Sequence, residues 1–347
     1  MEILSQYLLL ILLCTLLNII FIKKEFFIKF YPSYNPVQKI HEKYVPPLGG
    51  VVIFVSVYLF SYFFNKESIL LSNYIIIPSI LIIFIAFIED VTGRVTAKLR
   101  LLTIFISSYF FCYNTSLPSL EIWFIGEYIN QHEIIQILFF SICLTGLSNG
   151  VNMIDGMNGL AGFTTLSMLL SLFSVITLTG IYSEDINLII ILSLSLLVFL
   201  GFNFPFGKIF LGDSGSYWLG WILGVLVIKT YANNELNTWG AAIILFYPSM
   251  EVVFSTIRKL IQRKSPLDSD IYHLHLKLYF IIKGPVKRSK VFNSFTTVCL
   301  MPLWITPPLA IMWTQYNADF NKYFLIFLTA IYLFYYKIIP DRRLEDL

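Results

Sequence analysis

Long apolar runs, separated by shorter polar connections, dominate the pattern of the chain. Each run is long enough, or nearly long enough, for a helix to cross about 30 Å of hydrocarbon. The runs are centred on residues 4–22, 48–64, 71–88, 99–114, 134–151, 159–181, 186–203, 214–230, 239–257, 291–313 and 322–339. We therefore predict an all-α, polytopic membrane protein with about eleven transmembrane helices, in which residues 1–347 form one integral membrane domain.

The composition favours the same class. Hydrophobic residues make up 57% of the chain and charged residues 13%, with a mean hydropathy of +0.75, whereas soluble domains carry about 25% charged residues. A soluble fold of this size needs more charge to cover its surface, so much of this surface is expected to face the lipid bilayer. No nucleic-acid partner is expected.

Basic residues are distributed unevenly between the two sets of connections. Eleven crossings place the termini on opposite sides, and the connections on one side hold 21 of the 24 Lys and Arg residues. An excess of basic residues marks the cytoplasmic side of a membrane protein. We therefore predict that the N-terminus lies outside and that the C-terminus is cytoplasmic.

Polar clusters occur in the connections on the predicted cytoplasmic side. They contain carboxylates, amides, histidines, lysines and glycines, and the predicted outer connections show no comparable clustering. The clustered segments are residues 38–50, 88–102, 149–162, 202–217 and 258–290. This one-sided arrangement predicts an active site that these loops build at the inner surface of the membrane.

Structural interpretations compete with functional ones at several of these residues. Asp213 in "LGDSG" could cap the eighth span, and Asp155 and Asn158 in "IDGMNG" could cap the sixth, because Asp and Asn are favoured at helix N-termini. Glu89 and Asp90 differ, since they lie at the predicted C-terminus of the third span, where negative charge opposes the helix dipole. We expect this acidic pair to need a nearby basic side chain or a metal ion.

Two further features are weaker signals. Glu251 lies inside the ninth run, where an acid is a functional candidate by default, although pairing with Arg258 is an open alternative. His273 and His275 in "HLH" carry little weight alone, because solvated loop histidines are common. The basic run at residues 258–264 is expected to anchor the chain at the inner leaflet.

The chemistry of the clusters favours a phosphate substrate. Carboxylates with amides suit a hard cation, and Mg²⁺ typically takes one or two carboxylates together with substrate phosphate oxygens. Glycine-rich turns that open into helix N-termini, at Gly156–Gly162 and Gly212–Gly215, offer backbone N–H groups to anions. These residues predict a Mg²⁺-dependent reaction on a phosphate or diphosphate at the membrane surface, with a lipid as one substrate.

The ordered motifs resemble those of the polyprenyl-phosphate N-acetylhexosamine-1-phosphate transferases. Between about residues 38 and 279 they are "PPLGG", an acidic pair followed by "KLRLL", "NMIDGMNGLAG", "FN…FLGDSGS" and "HLH". That superfamily contains phospho-MurNAc-pentapeptide transferase and the enzymes that initiate O-antigen and related lipid-linked glycans. Eleven spans with an outside N-terminus look like the O-antigen-initiating branch more than the ten-span peptidoglycan branch.

The resemblance implies an activity and a set of site residues. The implied reaction transfers a sugar 1-phosphate from a UDP-N-acetylhexosamine to polyprenyl (undecaprenyl) phosphate, releasing UMP, with Mg²⁺ or alternatively Mn²⁺ as cofactor. The implied catalytic residues are Glu89, Asp90, Asp213, His273 and His275, and the implied substrate-binding residues are Lys98, Arg100, Asn152, Asp155, Asn158 and Asn203. Asp213, together with Asp155, is the implied magnesium ligand.

General-base catalysis is expected to matter less than positioning. The acceptor phosphate has a second pKa of about 6, so most of it is already dianionic at neutral pH. The acidic pair of the family is often assigned the base role, and Glu89 and Asp90 match that pair by resemblance.

Three departures from the family pattern leave the sugar open. The acidic pair is Glu-Asp where Asp-Asp is the commonest form, and the nucleotide motif reads "DGMNG" where many members have "DGxDG". The histidine motif "HLHL" lacks the extra histidine of several branches. None of these departures removes Asp213.

Other functions remain as alternatives. A secondary transporter suits many spans with polar groups, but transporter sites usually lie near the bilayer midplane between repeated halves, and no repeat is evident. A catalytically inactive relative is disfavoured because Glu89, Asp90, Asp155 and Asp213 are all present. A CDP-alcohol phosphatidyltransferase is disfavoured because its D-G-x-x-A-R signature is absent. The family implies the bacterial inner (cytoplasmic) membrane, and a homodimer is left open.

Overall fold

A computed structural model describes most of the chain as helix. The described residues are 2–23, 45–179, 185–233, 235–268, 270–283, 291–314 and 317–340, and they contain no β-strand. The predicted all-α class is therefore confirmed for these residues. Parts of two predicted site loops, residues 38–44 together with 269 and 284–290, lie outside the described residues.

The helices follow the apolar runs. Nine of the eleven runs fall on one helix each, and the runs at 239–257 and 291–313 are each divided among several helices. The helices are α1 (Glu2–Lys23), α2 (Gly49–Phe64), α3 (Asn73–Thr92), α4 (Ala97–Tyr113), α5 (Trp123–Gln131), α6 (Glu133–Ile154), α7 (Leu160–Thr179), α8 (Asp185–Asn203), α9 (Gly212–Ala232), α10 (Thr238–Ile244), α11 (Phe246–Ile261), α12 (Leu274–Lys283), α13 (Val291–Cys299), α14 (Met301–Trp304), α15 (Thr306–Thr314) and α16 (Ala318–Ile338).

Several helices have the length and composition of membrane spans. In the described part of the chain these are α1, α3, α6, α7 and α8, and the number rises to seven if each of two bent helix pairs is one span. The bends are 85° between α10 and α11 and 52° between α13 and the helices that follow it. The chain is therefore an integral membrane protein, whereas eleven crossings and the orientation of the termini stay predictions.

Helix α9 forms the centre of the bundle. Nearly all of its side chains are buried, including Trp218 and Trp221, and it packs against α2, α3, α6 and α7. Gly220 approaches α6 so closely that a Cβ atom there would lie 2.8 Å from the Cα atom of Ser148. Small residues on one helix face, here Gly220 and Gly224, allow such backbone contact between membrane helices. This packing fixes both ends of α9.

The outer surface of the bundle is apolar. Leu4 on α1, Phe84 on α3 and Phe327 on α16 are all more than half exposed. Exposed apolar surface of this extent is typical of a surface that contacts another apolar phase. The low charge content of the sequence therefore reflects helices whose outward faces suit lipid.

The predicted site segments converge at one end of this bundle, which we call the polar end. Helices α3, α6 and α8 end there, and α4, α7 and α9 begin there. The turn between α3 and α4 is tight, because Gly93 takes a left-handed conformation (φ 61°) and Thr96 caps α4 through its side chain. The polar residues of four sequence motifs are thereby brought to the first turn of α9.

Candidate active site

The "PPLGG" motif anchors the first turn of α9. The N–H groups of Gly49 and Gly50 donate to the carbonyl oxygens of Phe210 and Leu211, at 2.9 Å each. Gly50 also lies directly against Gly215, where a Cβ atom on Gly50 would stand 1.9 Å from the Gly215 Cα atom. Only glycine permits this backbone contact, so the motif positions the site without contributing a reactive group.

Asp90 caps α9 from the end of α3. Its Oδ1 accepts the N–H of Asp213 at 2.8 Å, and its Oδ2 accepts the N–H of Ser214 at 2.9 Å. The carboxylate that opposes the dipole of α3 therefore lies at the N-terminus of α9, where a negative charge is stabilised. Asp213 does not cap its own helix, because the N-cap residue is Leu211 and it makes no side-chain cap bond.

Glu89 supports the turn that follows α3. Its Oε2 accepts the N–H of Val95 at 2.7 Å, and its Oε1 lies 3.9 Å from the guanidinium of Arg100. The acidic pair thus has two distinct partners, a helix N-terminus for Asp90 and a basic side chain for Glu89. The basic side chain expected beside the pair is Arg100, which lies closest to Glu89 and whose charge also acts on Asp90.

Asp213 lies at the centre of the group. One carboxylate oxygen forms an ion pair with Arg100, and the other accepts the side-chain amide of Asn152 at 2.9 Å. The Asn152 amide also lies 2.9 Å from the hydroxyl of Ser216, and the Arg100 guanidinium lies 5.7 Å from the ring centre of Tyr217. Sequence reasoning missed Ser216 and Tyr217, although their position within one turn of Asp213 was a usable signal.

Asp155, which ends α6, joins the same group. Its carboxyl group faces Asp90 and the backbone N–H of Gly212. Burial and the negative charge of Asp90 raise the pKa of Asp155 well above its usual value, and the Gly212 N–H offsets this only in part. Asp90, Asp155 and Asp213 therefore border one site. We call these three residues with Glu89, Arg100 and Asn152 the acidic cluster.

Four N–H groups of the glycine-rich turns already bind protein side chains. At the start of α9 the N–H groups of Asp213 and Ser214 bind Asp90. In the other turn the Asn158 N–H donates to Asn293 and the Gly159 N–H donates to Asn203. These four N–H groups are therefore not free to bind phosphate, and the expectation stays a prediction for the other N–H groups of the turns.

Asn158 and Asn203 hold the loops together and are almost fully buried. The Asn203 amide bridges the Gly159 N–H and the Ile209 carbonyl, and the Asn158 amide donates to the Pro205 carbonyl at 3.0 Å. Their predicted substrate-binding role is untested, but their bonds place them behind the acidic cluster. Sequence reasoning missed the α13 partners of Asn158, which are Asn293, Ser294 and Thr297.

The two histidines of "HLH" lie beside the cluster. Their rings stack with centres 5.6 Å apart, and His273 pairs with Glu251 at 3.1 Å. The Nε2 of His275 lies 3.1 Å from the position of a Cβ atom on Gly156, so the histidine segment contacts the residue that follows Asp155. Burial lowers the pKa of His275 to about 4, so this ring is neutral at neutral pH.

Lys98 stands apart from the other predicted residues. It is exposed on the first turn of α4 and makes no hydrogen bond or ion pair with the described residues. Residues two apart on a helix do not share a face, so Lys98 and Arg100 point in different directions. Lys98 is therefore an accessible cation at the rim, while Arg100 belongs to the cluster.

A divalent cation fits the chemistry of the acidic cluster. A cation relieves the repulsion between the adjacent carboxyl groups of Asp155 and Asp90. Within the residues that the structure describes, no three His, Cys, Asp or Glu side chains form a ready-made metal site. Mg²⁺ commonly needs only one or two carboxylates, with substrate phosphates completing its shell, so Asp213 and Asp155 suit a site that substrate completes.

Comparison with known proteins agrees with these motifs. The sequence model of glycosyl transferase family 4 matches residues 72–231, a range that holds the whole acidic cluster. An undecaprenyl-phosphate alpha-N-acetylglucosaminyl 1-phosphate transferase of Thermotoga maritima is 30% identical over 69% of this chain and 69% of its own length. A phospho-N-acetylmuramoyl-pentapeptide-transferase of Petrotoga mobilis is 30% identical over 74% of this chain and 83% of its own length.

The two relatives represent different branches at the same identity. The predicted resemblance at the superfamily level is confirmed, whereas the branch is not decided by these similarities. The chain belongs to glycosyl transferase family 4, the superfamily of polyprenyl-phosphate N-acetylhexosamine-1-phosphate transferases.

Proposed function

We propose that this protein transfers an N-acetylhexosamine 1-phosphate from a UDP-linked donor to polyprenyl phosphate, in a Mg²⁺-dependent reaction that releases UMP. The names of the relatives support the acceptor and the transferred group. The observation that carries the proposal is the ion pair between Arg100 and Asp213, held within a group of four carboxyl groups at the start of α9. Such a site suits a diphosphate and a hard cation together.

The reaction is a displacement at phosphorus. An oxygen of the acceptor phosphate attacks the donor phosphorus that carries the sugar, and the bond from that phosphorus to the bridging oxygen breaks. UMP leaves with the bridging oxygen, and the new bond forms the polyprenyl diphosphate sugar. With a dianionic acceptor, charge balances on both sides without a proton transfer.

Asp90 therefore acts as a positioning residue in this proposal. Both of its carboxylate oxygens accept backbone N–H groups of α9, as expected of an anchor. Glu89 likewise supports the turn before α4 and lies beside Arg100. These contacts agree with the expectation that base catalysis is minor.

Side chains supply the phosphate contacts in this proposal. Arg100 presents a guanidinium, which suits the oxygens of a diphosphate, and Lys98 is the exposed cation on the same helical turn. Asp213 and Asp155 would hold the cation, with Mn²⁺ as the alternative metal. When bound, Mg²⁺ neutralises the negative charge of the diphosphate and of the departing UMP.

The proposed setting is the bacterial inner membrane, with the polar end at the cytoplasmic face. The uneven distribution of Lys and Arg supports this orientation, and the apolar outer surface supports a lipid acceptor that arrives from the bilayer. The product would initiate a cell-surface glycan such as O-antigen. A homodimer is compatible with the proposal and is not required by it.

A donor panel tests the activity. Purified protein in nanodiscs is given undecaprenyl phosphate, Mg²⁺ and one donor at a time, namely UDP-N-acetylglucosamine, UDP-N-acetylgalactosamine or UDP-MurNAc-pentapeptide, and UMP release is measured. We expect release with at least one donor and its loss on chelation of the metal. Failure to release UMP with every donor, or full activity after chelation, contradicts the proposal.

A matched pair of aspartate variants tests the site. Asp213 and Asp319 both lie in the first turn of a helix, α9 and α16 respectively, but only Asp213 belongs to the acidic cluster. Asp213→Asn is expected to lower kcat/KM by about 10²–10³-fold, as removal of one charge-stabilising group at a reacting centre does. Asp319→Asn is expected to keep wild-type activity, and equal losses in both variants contradict the site assignment.

A further inference from the structure

A buried carboxylate–imidazole pair links α11 to the histidine segment. Glu251 is 1% exposed, and its Oε2 lies 3.1 Å from the Nδ1 of His273, which is 7% exposed. The alternative pairing of Glu251 with Arg258 is wrong, because Arg258 forms its ion pair with Asp270. The mechanism described above gives Glu251 no task.

The pair leads through the two stacked histidines to the turn that follows Asp155. The His273 ring stacks on that of His275, and His275 in turn lies against Gly156, the residue after Asp155. Of the two rings, His273 is the one that pairs with Glu251, and burial keeps His275 neutral at neutral pH. The order of contacts is therefore Glu251, His273, His275 and then Gly156.

The histidine segment has other anchors and does not depend on Glu251 to hold its shape. The ammonium of Lys259 donates to the carbonyl oxygens of Pro266 and Asp268 at 3.0 and 2.6 Å. The Tyr336 hydroxyl donates to the carbonyl of Tyr272 at 3.0 Å. A buried carboxylate that only joined two segments already joined in this way would add a desolvation penalty for little structural gain.

Among the described residues, His273 is the main hydrogen-bonding partner of the Glu251 carboxylate. The hydroxyl groups of Tyr247 and Tyr332 border the carboxylate, and within the described residues no Lys or Arg contacts it. Besides Glu251, the charged or titratable groups that face His273 are His275 and Asp270. The other ring nitrogen of His273, Nε2, has no hydrogen-bond partner among these residues.

We propose that Glu251 is a positioning residue that holds the Nδ1–H of His273 and so leaves Nε2 as the ring nitrogen available to the sugar nucleotide. The choice of nitrogen follows from the general rule that the bond made by one ring nitrogen of histidine sets the role of the other. This inference rests on the proposed transfer reaction. The proposal adds Glu251, a residue of α11, to the site, although Glu251 lies outside the five sequence motifs.

A double-mutant cycle tests the coupling. Glu251→Gln keeps the size of the side chain but removes its charge, and it is expected to lower kcat/KM by about tenfold to a hundredfold, the range for partners that orient a functional histidine. The loss should fall mainly on kcat, because orientation matters most in the transition state. In a His273→Asn background the same change should have no further effect, since it acts through His273.

Glu235→Gln is the matched control. Glu235 is also a buried glutamate, 2% exposed, but it lies beyond the last turn of α9 at the opposite end of the bundle. Its effect should be the same with and without His273. Losses from Glu251→Gln and His273→Asn that multiply, as those of independent sites do, overturn the inference.

A spectroscopic measurement tests the contact between Glu251 and His273 directly, and it does not require an active enzyme. The chain has only four histidines, so ¹⁵N-histidine labelling in bilayers gives a simple spectrum, and His273→Asn identifies the signal of His273. A protonated Nδ1 in the wild type supports the inference, and an unprotonated Nδ1 overturns it even if the variants fail to fold. If the wild type releases no UMP, the proposed function fails, while this spectrum still tests the contact with Glu251.

Discussion

The two ends of α9 use buried charge in different ways. At its last turn, Lys229 pairs with Asp185 at 3.0 Å, so a cation stands at a helix C-terminus and an acid in the first turn of α8, as helix dipoles favour. At its first turn, four carboxyl groups lie together, and among the described residues Arg100 is the cation that forms ion pairs with two of them. The first turn thus holds the larger group of acids.

The difference separates a structural ion pair from a site. Among the described residues, two acids, Asp185 and Glu235, lie at the end of Lys229, whereas four lie at the end of Arg100. Acids that the fold holds together, one of them with a raised pKa, are a mark of functional sites. The first turn of α9 is therefore the end with the features of a ligand-binding site.

Replacing the cation at the first turn should give the largest effect. Arg100→Gln removes the guanidinium that contacts Asp213, and we expect kcat/KM for UMP release to fall by about 10²–10³-fold. Saturating Mg²⁺ should not restore the activity, because the planar donors of arginine are lost. Activity within a few-fold of wild type would mean that the substrate diphosphate does not meet Arg100.

Replacing the cation at the last turn should give a smaller effect of another kind. Lys229→Met removes the ammonium from the buried Asp185, and we expect the free energy of unfolding to fall by about 1–3 kcal/mol. Thermal unfolding in detergent measures this loss, and kcat/KM per folded molecule should be unchanged. A drop in kcat/KM comparable to that of Arg100→Gln would remove the distinction between the two ends.

The pH dependence of stability should reveal the excess acid directly. Because the pKa of Asp155 is raised in the folded protein, its contribution to stability is present at low pH and is lost as the pH rises above the ordinary value for aspartate. Asp155→Asn should therefore raise Tm at pH 7.5 without divalent ions, and the difference should shrink at acidic pH. Mg²⁺ should stabilise the wild type more than the variant, and the reverse order would contradict the cation fit.

The smallest effect is expected at the rim. Lys98 is exposed and unpaired among the described residues, and an exposed charge contact contributes roughly 0.2–1 kcal/mol. Lys98→Ala should therefore raise KM for the UDP-sugar by at most about fivefold, with kcat unchanged, and the effect should weaken at high salt. A loss as large as that of Arg100→Gln would place Lys98 inside the site.

Hydropathy predicted the helices because it is a local property. The bends were missed, although the sequence contained their signal: Pro248 lies in the first turn of α11 and Pro302 in the first turn of α14, a position that proline favours. Each proline lies next to a break in what the apolar pattern presents as one run. The composition of a run shows that it is helical, and its prolines show where it divides.

The site was predictable as a set of residues but not as a set of contacts. The interpretation that Asp90 needs a partner was sound, yet its partners, the N–H groups of Asp213 and Ser214, are more than a hundred residues away. Glu251 was recognised as unusual, and only the structure replaced Arg258 by His273 as its partner. Long-range pairing depends on which helices become neighbours, and no local pattern contains that information.

The basic run after α11 shows the same limit. Lipid anchoring was predicted from its composition, but Arg258 pairs with Asp270 and Lys259, 4% exposed, binds two carbonyl oxygens. Arg263 and Lys264 are exposed and keep the predicted role open. A charged segment can therefore brace its own loop through some side chains while others stay exposed.

The backbone contact between Gly50 and Gly215 also limits how such a protein can diversify. With no side chain between them, α2 cannot shift without displacing Asp213, and no larger residue can be accommodated at either glycine. Relatives that accept different sugars are thus expected to share the Gly50–Gly215 contact. We expect them to differ instead in the Gly93–Thr96 turn and in the segment of His273. Sugar specificity would then evolve in these loops, while the helix contact that positions Asp213 stays the same.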